Sequence, residues 1–262
     1  MAYKKIIFFD IDKTLYDPNI KAIPKSTINA LKQLHEKADI EIAIATGRAY
    51  YMLHVIDEIK PFIDIYITIN GQIIIKDGKT IYRNPLSKND VRFVVDLFQE
   101  HNLKYGFLGE YDETLNIVDE KGKRAFELVD MKLPRLDPDF YKEHDVFQMW
   151  AFCEQKNHKI FEDKLAHLNV VSWLGDGFDV LSYGMSKKQG IQKMLELLEI
   201  SLENTYAIGD GDNDIEMLDY IPHSVAMGNA SEKAKAHAKH ITKDIQDDGV
   251  YHALEMLGLI EK

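Results

Sequence analysis

Cysteine is nearly absent: the 262-residue chain has one, Cys153. A lone thiol cannot close an internal disulfide, and no cysteine pair exists to begin a zinc site, so a reducing compartment is expected, with Cys153 as an apolar filler. Long apolar runs are missing too. The N-terminal MAYKKIIFFD carries too short an apolar stretch for a secretory signal, and nothing later approaches the ~20 residues of a membrane span. The expectation is a cytoplasmic protein with no membrane partner. Positive charge is in deficit, with Lys and Arg at 32 against Asp and Glu at 43, a net charge of −11. Binding a polyanion needs a basic face, which argues against nucleic acid as a partner. No G-x-G-x-x-G follows the first apolar run, so the dinucleotide-binding fingerprint is absent. Repeats and low-complexity tracts are also lacking.

Hydrophobic residues make up 45% of the chain, enough for one large core or two domains. Short β-rich runs (KIIFFD, IEIAIAT, IDIYITI, NTYAIGD, HSVAM, KHITK) alternate with amphipathic stretches (KSTINALKQLHEK, AYYMLHVIDEI, KKQGIQKMLELLEI, NDIEMLDYI, SEKAKAHAKH). Strands joined by crossover helices give an α/β fold, a doubly wound parallel sheet with a Rossmann-like core. The series is interrupted over residues 83–185, which contain helix-like NDVRFVVDLFQEHN and NHKIFEDKLAHL and strand-like TLNIVDE, DVFQMWAFC, NVVSWLG and GFDVLSY. The expected division is core (1–82), inserted α/β cap domain (83–185) and core again (186–262).

Chemistry gathers at the ends of three runs. FFDIDKTL ends the first on Asp10 and Asp12, which an extended chain would put on one face, roughly 7 Å apart. Carboxylates that close repel unless a cation intervenes. The second run ends in Thr46-Gly47-Arg48, a hydroxyl, helix-start amides and a guanidinium that suit phosphate. A later one ends on Asp210, and GDGDNDIEML then enters a helix with Asn213 and Asp214 in its first turn. In a parallel sheet these ends share one edge. Asp10, Asp12, Asp210 and Asp214 could surround one small hard cation, and oxygen-only ligands suit magnesium better than zinc. Lys187 opens a helix and is expected to face phosphoryl oxygens; Lys188 would point about 100° away. Asn70-Gly71 in ITINGQIII is expected to form a two-residue type I′ hairpin turn.

With these residues assembled, the chain resembles the haloacid dehalogenase superfamily, in particular its Cof-type, sugar-phosphate-phosphatase-like group with a cap between the second and third motifs. FFDIDKTL looks like its Asp-x-Asp-x-Thr motif, IAIATGR its second, MSKKQGI its lysine motif and AIGDGDNDIEML its acidic motif. VAMGNA and DDGVYHAL look like its C-terminal signatures. The resemblance implies Asp10 as the nucleophile that becomes an aspartyl-phosphate and Asp12 as the acid, then base. It implies Mg2+ on Asp10, the Asp12 backbone carbonyl and Asp210, supported by Asp214 and Asn213, with Thr46 and Lys187 holding the phosphoryl group. Lys13 stands where the group usually has glycine, so its turn is either ordinary or mildly strained. It also suggests that Asn70 lies near the site, although the turn is the stronger expectation.

The implied activity is Mg2+-dependent hydrolysis of a small phosphomonoester, a sugar phosphate or phosphorylated cofactor, with the cap acting as a lid. A phosphomutase would share the aspartyl-phosphate, but mutases with small caps insert them soon after the first motif, where residues 17–41 hold little beyond one helix. A phospho-accepting receiver would need no insertion.

Overall fold

The computed structural model describes residues 4–117, 133–172 and 176–261. The chain divides into two compact units, Met1–Arg83 with Ser186–Lys262, and Asn84–Met185. Strands β1 (Lys5–Phe9), β2 (Ile40–Ala45), β3 (Ile65–Thr68), β4 (Ile73–Lys76) and β5 (Lys79–Arg83) precede the second unit. Within it lie β6 (Lys104–Leu108), β7 (Glu113–Leu115), β8 (Arg135–Leu136), β9 (Gln148–Phe152), β10 (Asn169–Ser172) and β11 (Phe178–Leu181). β12 (Thr205–Gly209), β13 (His223–Ala226) and β14 (His240–Ile241) complete the first unit.

The first unit is built on one sheet, ordered β14-β13-β12-β1-β2-β3-β4-β5. It is parallel from β14 to β3, and β4 and β5 extend it antiparallel. Every residue of β2 is buried. This is why the central strands read as unbroken apolar runs: both faces carry helices. Ile6, Phe8, Ala43, Ala45, Ile65 and Ile67 pack on one face against Ile191, Met194 and Met217. These come from the helices Lys187–Leu198 and Ile215–Tyr220. The helices Lys25–His35 and Gly249–Met256 pack against each other.

Two sequence expectations change here. AYYMLHVIDEI forms a 3-10 turn over Tyr50–Ile56, with Leu53 outside helical geometry, instead of an α-helix. Asn70-Gly71 does not form a two-residue I′ turn. Pairing of β3 with β4 closes at Thr68 and Ile73, leaving a four-residue loop in which Ile69, Asn70 and Gly71 all have positive φ. The loop is held against the end of β2, where the Asn70 amide donates to Thr46 O at 3.0 Å and the Ile69 amide to Arg48 O at 3.0 Å.

The second unit has its own six-stranded sheet, β10-β11-β9-β6-β7-β8. The helices Lys88–Glu100 and His158–Lys164 contribute Val94, Phe98 and Phe161 to a core with Tyr105, Phe107, Met149 and Phe178. Cys153 is buried there, at its edge. The ends of TLNIVDE and NVVSWLG fall outside the described residues. β6 (KYGFL) is not signalled by its sequence because glycine interrupts it. Gly106 is required there: a Cβ would meet the Trp150 ring at 2.4 Å.

Candidate active site

Phe9 pairs with Ile44 on β2 and with Ile208 on β12. The three strands run parallel, so Asp10, Thr46 and Asp210 leave the sheet at the same edge. β1 is also where the strand order reverses, with β2 on one side and β12 on the other. Such a reversal opens a crevice beyond the strand ends.

β1 stops at Phe9, so Asp10 and Asp12 are not alternate positions of one strand. The Asp10 amide still donates to Ile208 O at 3.0 Å, but Ile11 O then accepts from the amides of Thr14, Leu15 and Tyr16 in a tight turn. That turn separates the two carboxylates. Asp10, Asp210 and Asp214 come together, with one carboxylate oxygen of each within 4.8 Å of the others, and all three are buried. The Asp12 carboxylate instead accepts from Arg48 Nε at 2.8 Å and Nη2 at 2.7 Å. The expected ring of four carboxylates is therefore a ring of three. Arg48, expected to face phosphate, has its fork on Asp12.

Lys187 is fully buried, and its Nζ donates to Asp10 Oδ1 and Asp214 Oδ1, each at 2.6 Å. Lys188 lies outside the cluster, with its ammonium 5.6 Å from the Tyr220 ring centre. The position of Lys187 depends on two glycines. A Cβ on Gly190 would lie 2.5 Å from Gly71 Cα, so the helix start and the β3–β4 loop touch backbone to backbone. Asp214 is fixed as firmly, its Oδ2 accepting from the amides of Asp210 at 2.9 Å and Gly211 at 2.8 Å. A Cβ on Gly209 would sit 2.7 Å from the Asp214 carboxyl carbon, which explains glycine at that strand end. Asn213 is exposed, in the 3-10 turn Asp212–Asp214.

Thr46 is buried, and its Oγ1 accepts from the Arg48 amide at 3.1 Å, so it caps its own turn. Gly47 lies against the Asn70 side chain, 3.3 Å from Oδ1 for an added Cβ. Thr14 also belongs to the site. Its hydroxyl donates to Asp210 Oδ1 at 3.0 Å and orients that carboxylate. The signal was present, since this threonine closes the Asp-x-Asp-x-Thr motif.

Burial pushes the Asp10 carboxyl well above the usual carboxylate range. Asp214 and Asp210 add to this, and the attraction of Lys187 does not cancel it. Asp210 is pushed up to about 6, by burial first and then by Asp214. Burial works against the charge on Lys187, yet Asp10 and Asp214 hold its pKa above that of a free lysine. Three buried carboxylates thus share one ammonium.

The haloacid dehalogenase-like hydrolase model matches residues 7–254, nearly the whole chain. The chain belongs to this family. YkrA of Bacillus subtilis (strain 168) is 33% identical over 259 residues, covering 98% of this chain and 99% of YkrA. The solved structure of BT4131, described as a subclass IIB sugar phosphatase of the superfamily, superposes with a TM-score of 0.89 at 31% identity. It covers 98% of this chain and 100% of its own. BT1666 from Bacteroides thetaiotaomicron, described among the superfamily's phosphatases, gives a TM-score of 0.90 at 28% identity, covering 99% and 97%.

The chain is thus a haloacid dehalogenase-like phosphatase, a hydrolase acting on phosphate esters. Phosphatases of this family generally use a divalent metal, and the residues present fit one. The cluster offers hard oxygen donors only, and its carboxylates outnumber its single ammonium three to one. No helix among the described residues is long and apolar enough to cross a membrane.

Proposed function

We propose that this haloacid dehalogenase-like phosphatase hydrolyses a small phosphomonoester, a sugar phosphate or phosphorylated cofactor, with Mg2+ and through an aspartyl-phosphate on Asp10. The observation that carries this reading is the buried Asp10, Asp210 and Asp214 set around Lys187 at the reversal point of the sheet. The sugar-phosphate class is supported by BT4131, a sugar phosphatase at 31% identity.

In the first displacement an Asp10 carboxylate oxygen attacks phosphorus, the ester P–O bond breaks, and the leaving oxygen takes a proton from Asp12. In the second, water attacks the same phosphorus and gives its proton to Asp12. The bond to Asp10 then breaks and phosphate leaves. Lys187, Thr46 and the amides of the Gly47 turn hold the phosphoryl oxygens, and Arg48, whose fork holds both Asp12 oxygens here, frees one of them when Asp12 carries the proton. When bound, Mg2+ would rest on Asp10, Asp210 and the Asp12 backbone carbonyl, with Asp214 and Asn213 in support, and would supply positive charge against the phosphoryl oxygens. Proton transfer contributes about 10²–10⁴-fold, so positioning and charge must supply most of the acceleration.

The test is a panel of phosphorylated metabolites and a generic aryl phosphate, with and without Mg2+. Many turnovers per enzyme, dependent on the ion, are expected. A single stable phosphorylation without turnover would point to a receiver and overturn the proposal.

A further inference from the structure

Lys13 lies in the left-handed region, at φ 63°. A side chain there is strained and persists only where surrounding contacts over-determine it. The turn supplies one such contact, from the Lys13 amide to Tyr16 O at 2.8 Å. The other comes from 216 residues away. Asn229 Nδ2 donates to Lys13 O at 2.9 Å. Its Oδ1 accepts from the Ile245 amide at 2.8 Å. An amide side chain is the group that can do both, donating at one end and accepting at the other.

Ile245 is itself buried and backed by a wedge of backbone. The Gly228 amide donates to Lys243 O at 2.9 Å. A Cβ on Gly228 would come within 2.3 Å of Asp244 Oδ1, and one on Gly249 within 2.3 Å of Lys243 O. The VAMGNA and DDGVYHAL stretches therefore both close on the Lys243–Asp244 backbone through these glycines, and Asn229 is presented to the turn after β1. The carbonyl it grips belongs to the peptide plane that carries the Thr14 amide, and Thr14 orients Asp210 at 3.0 Å.

The geometry points to Asn229 as a positioning residue that stabilises the strained Lys13 turn and, through Thr14, aims Asp210 in the catalytic cluster. This rests on the phosphatase reading only for its kinetic consequence; the mechanical link stands on the contacts themselves. It makes an unusual demand: the need for Asn229 should vanish when Lys13 becomes glycine, which occupies this region without a Cβ penalty.

The experiment uses the full chain in five forms: wild type, Asn229→Ala, Asn229→Asp, Lys13→Gly, and the Asn229→Ala/Lys13→Gly double variant. Amide hydrogen exchange and aryl-phosphate kinetics with Mg2+ are measured on each. In Asn229→Ala, exchange in residues 11–17 should speed up about tenfold and kcat fall about tenfold, the population penalty of such a backbone, with KM within about twofold. Strand Lys5–Phe9 should keep its protection. Asn229→Asp should behave like Asn229→Ala, since a carboxylate cannot donate to Lys13 O. Adding Lys13→Gly to Asn229→Ala should restore most of the protection and most of kcat. Unchanged exchange in Asn229→Ala, a uniform rise across the chain, or a double variant showing no rescue would overturn the inference. A wild type that fails to turn over aryl phosphate would count against the phosphatase reading, and the exchange results would still decide the role of Asn229.

Discussion

Lys187 is the residue on which the site's balance turns. It is the ammonium that bridges Asp10 and Asp214, and removing one partner of a buried ion pair commonly costs about 3–5 kcal/mol. Lys187→Met should lose stability on that order in denaturant unfolding and abolish phosphate release. Each acidic position of the cluster was legible because Asp10 and Asp210 end apolar runs and Asp214 follows in the next helical turn. The pairing of Asp12 with Arg48 was not legible. It depends on the chain turning at Ile11, which strand alternation does not foresee. Glu113, in the second unit, titrates unusually: burial first, and Asp112 next, push it up to about 7. Between about pH 4.5 and 7 the folded protein keeps a proton that the unfolded chain has released, so stability falls as pH rises through that window. Glu113→Gln should therefore raise the thermal midpoint at pH 8 and give no gain at pH 4, as a midpoint-against-pH series would show.

At the scale of elements, the helix Lys187–Leu198 is placed by its contact with the β3–β4 loop. Alanine normally improves a helix interior by up to ~1 kcal/mol over glycine. At Gly190 the sign should reverse. A Cβ there meets Gly71 Cα at 2.5 Å and Ile67 Cγ2 at 2.7 Å, and overpacking of that kind costs ~1–3 kcal/mol. Gly190→Ala should lower the unfolding midpoint and, by moving the helix start, lower kcat. The parallel strands were legible from their unbroken apolar character. The 3-10 turn Tyr50–Ile56 was not, because its apolar spacing fits a helix while its backbone departs from one at Leu53. The β3–β4 loop departs from its sequence signal for a similar reason: Asn-Gly signals a tight hairpin, but contacts to Thr46 and Arg48 draw the chain into a wider loop.

At the scale of the whole molecule, three buried carboxylates held together against one ammonium are a strain that a divalent ion would relieve. Mg2+ should raise the thermal midpoint at pH 7. With Asp210 pushed up to about 6 and Asp10 also raised by burial, protonation competes with the ion at lower pH, so affinity should climb as pH rises through about 6; titration calorimetry from pH 5 to 8 would show this. Asp210→Asn should remove most of both effects. The measurement that tests the account most directly is steady-state turnover of an aryl phosphate by wild type and Asp10→Asn, with Mg2+ present and with it chelated. The account predicts many turnovers by the wild type with Mg2+, none once the ion is removed, and a loss of at least about 10³-fold in a folded Asp10→Asn. Wild-type rates from Asp10→Asn would contradict it.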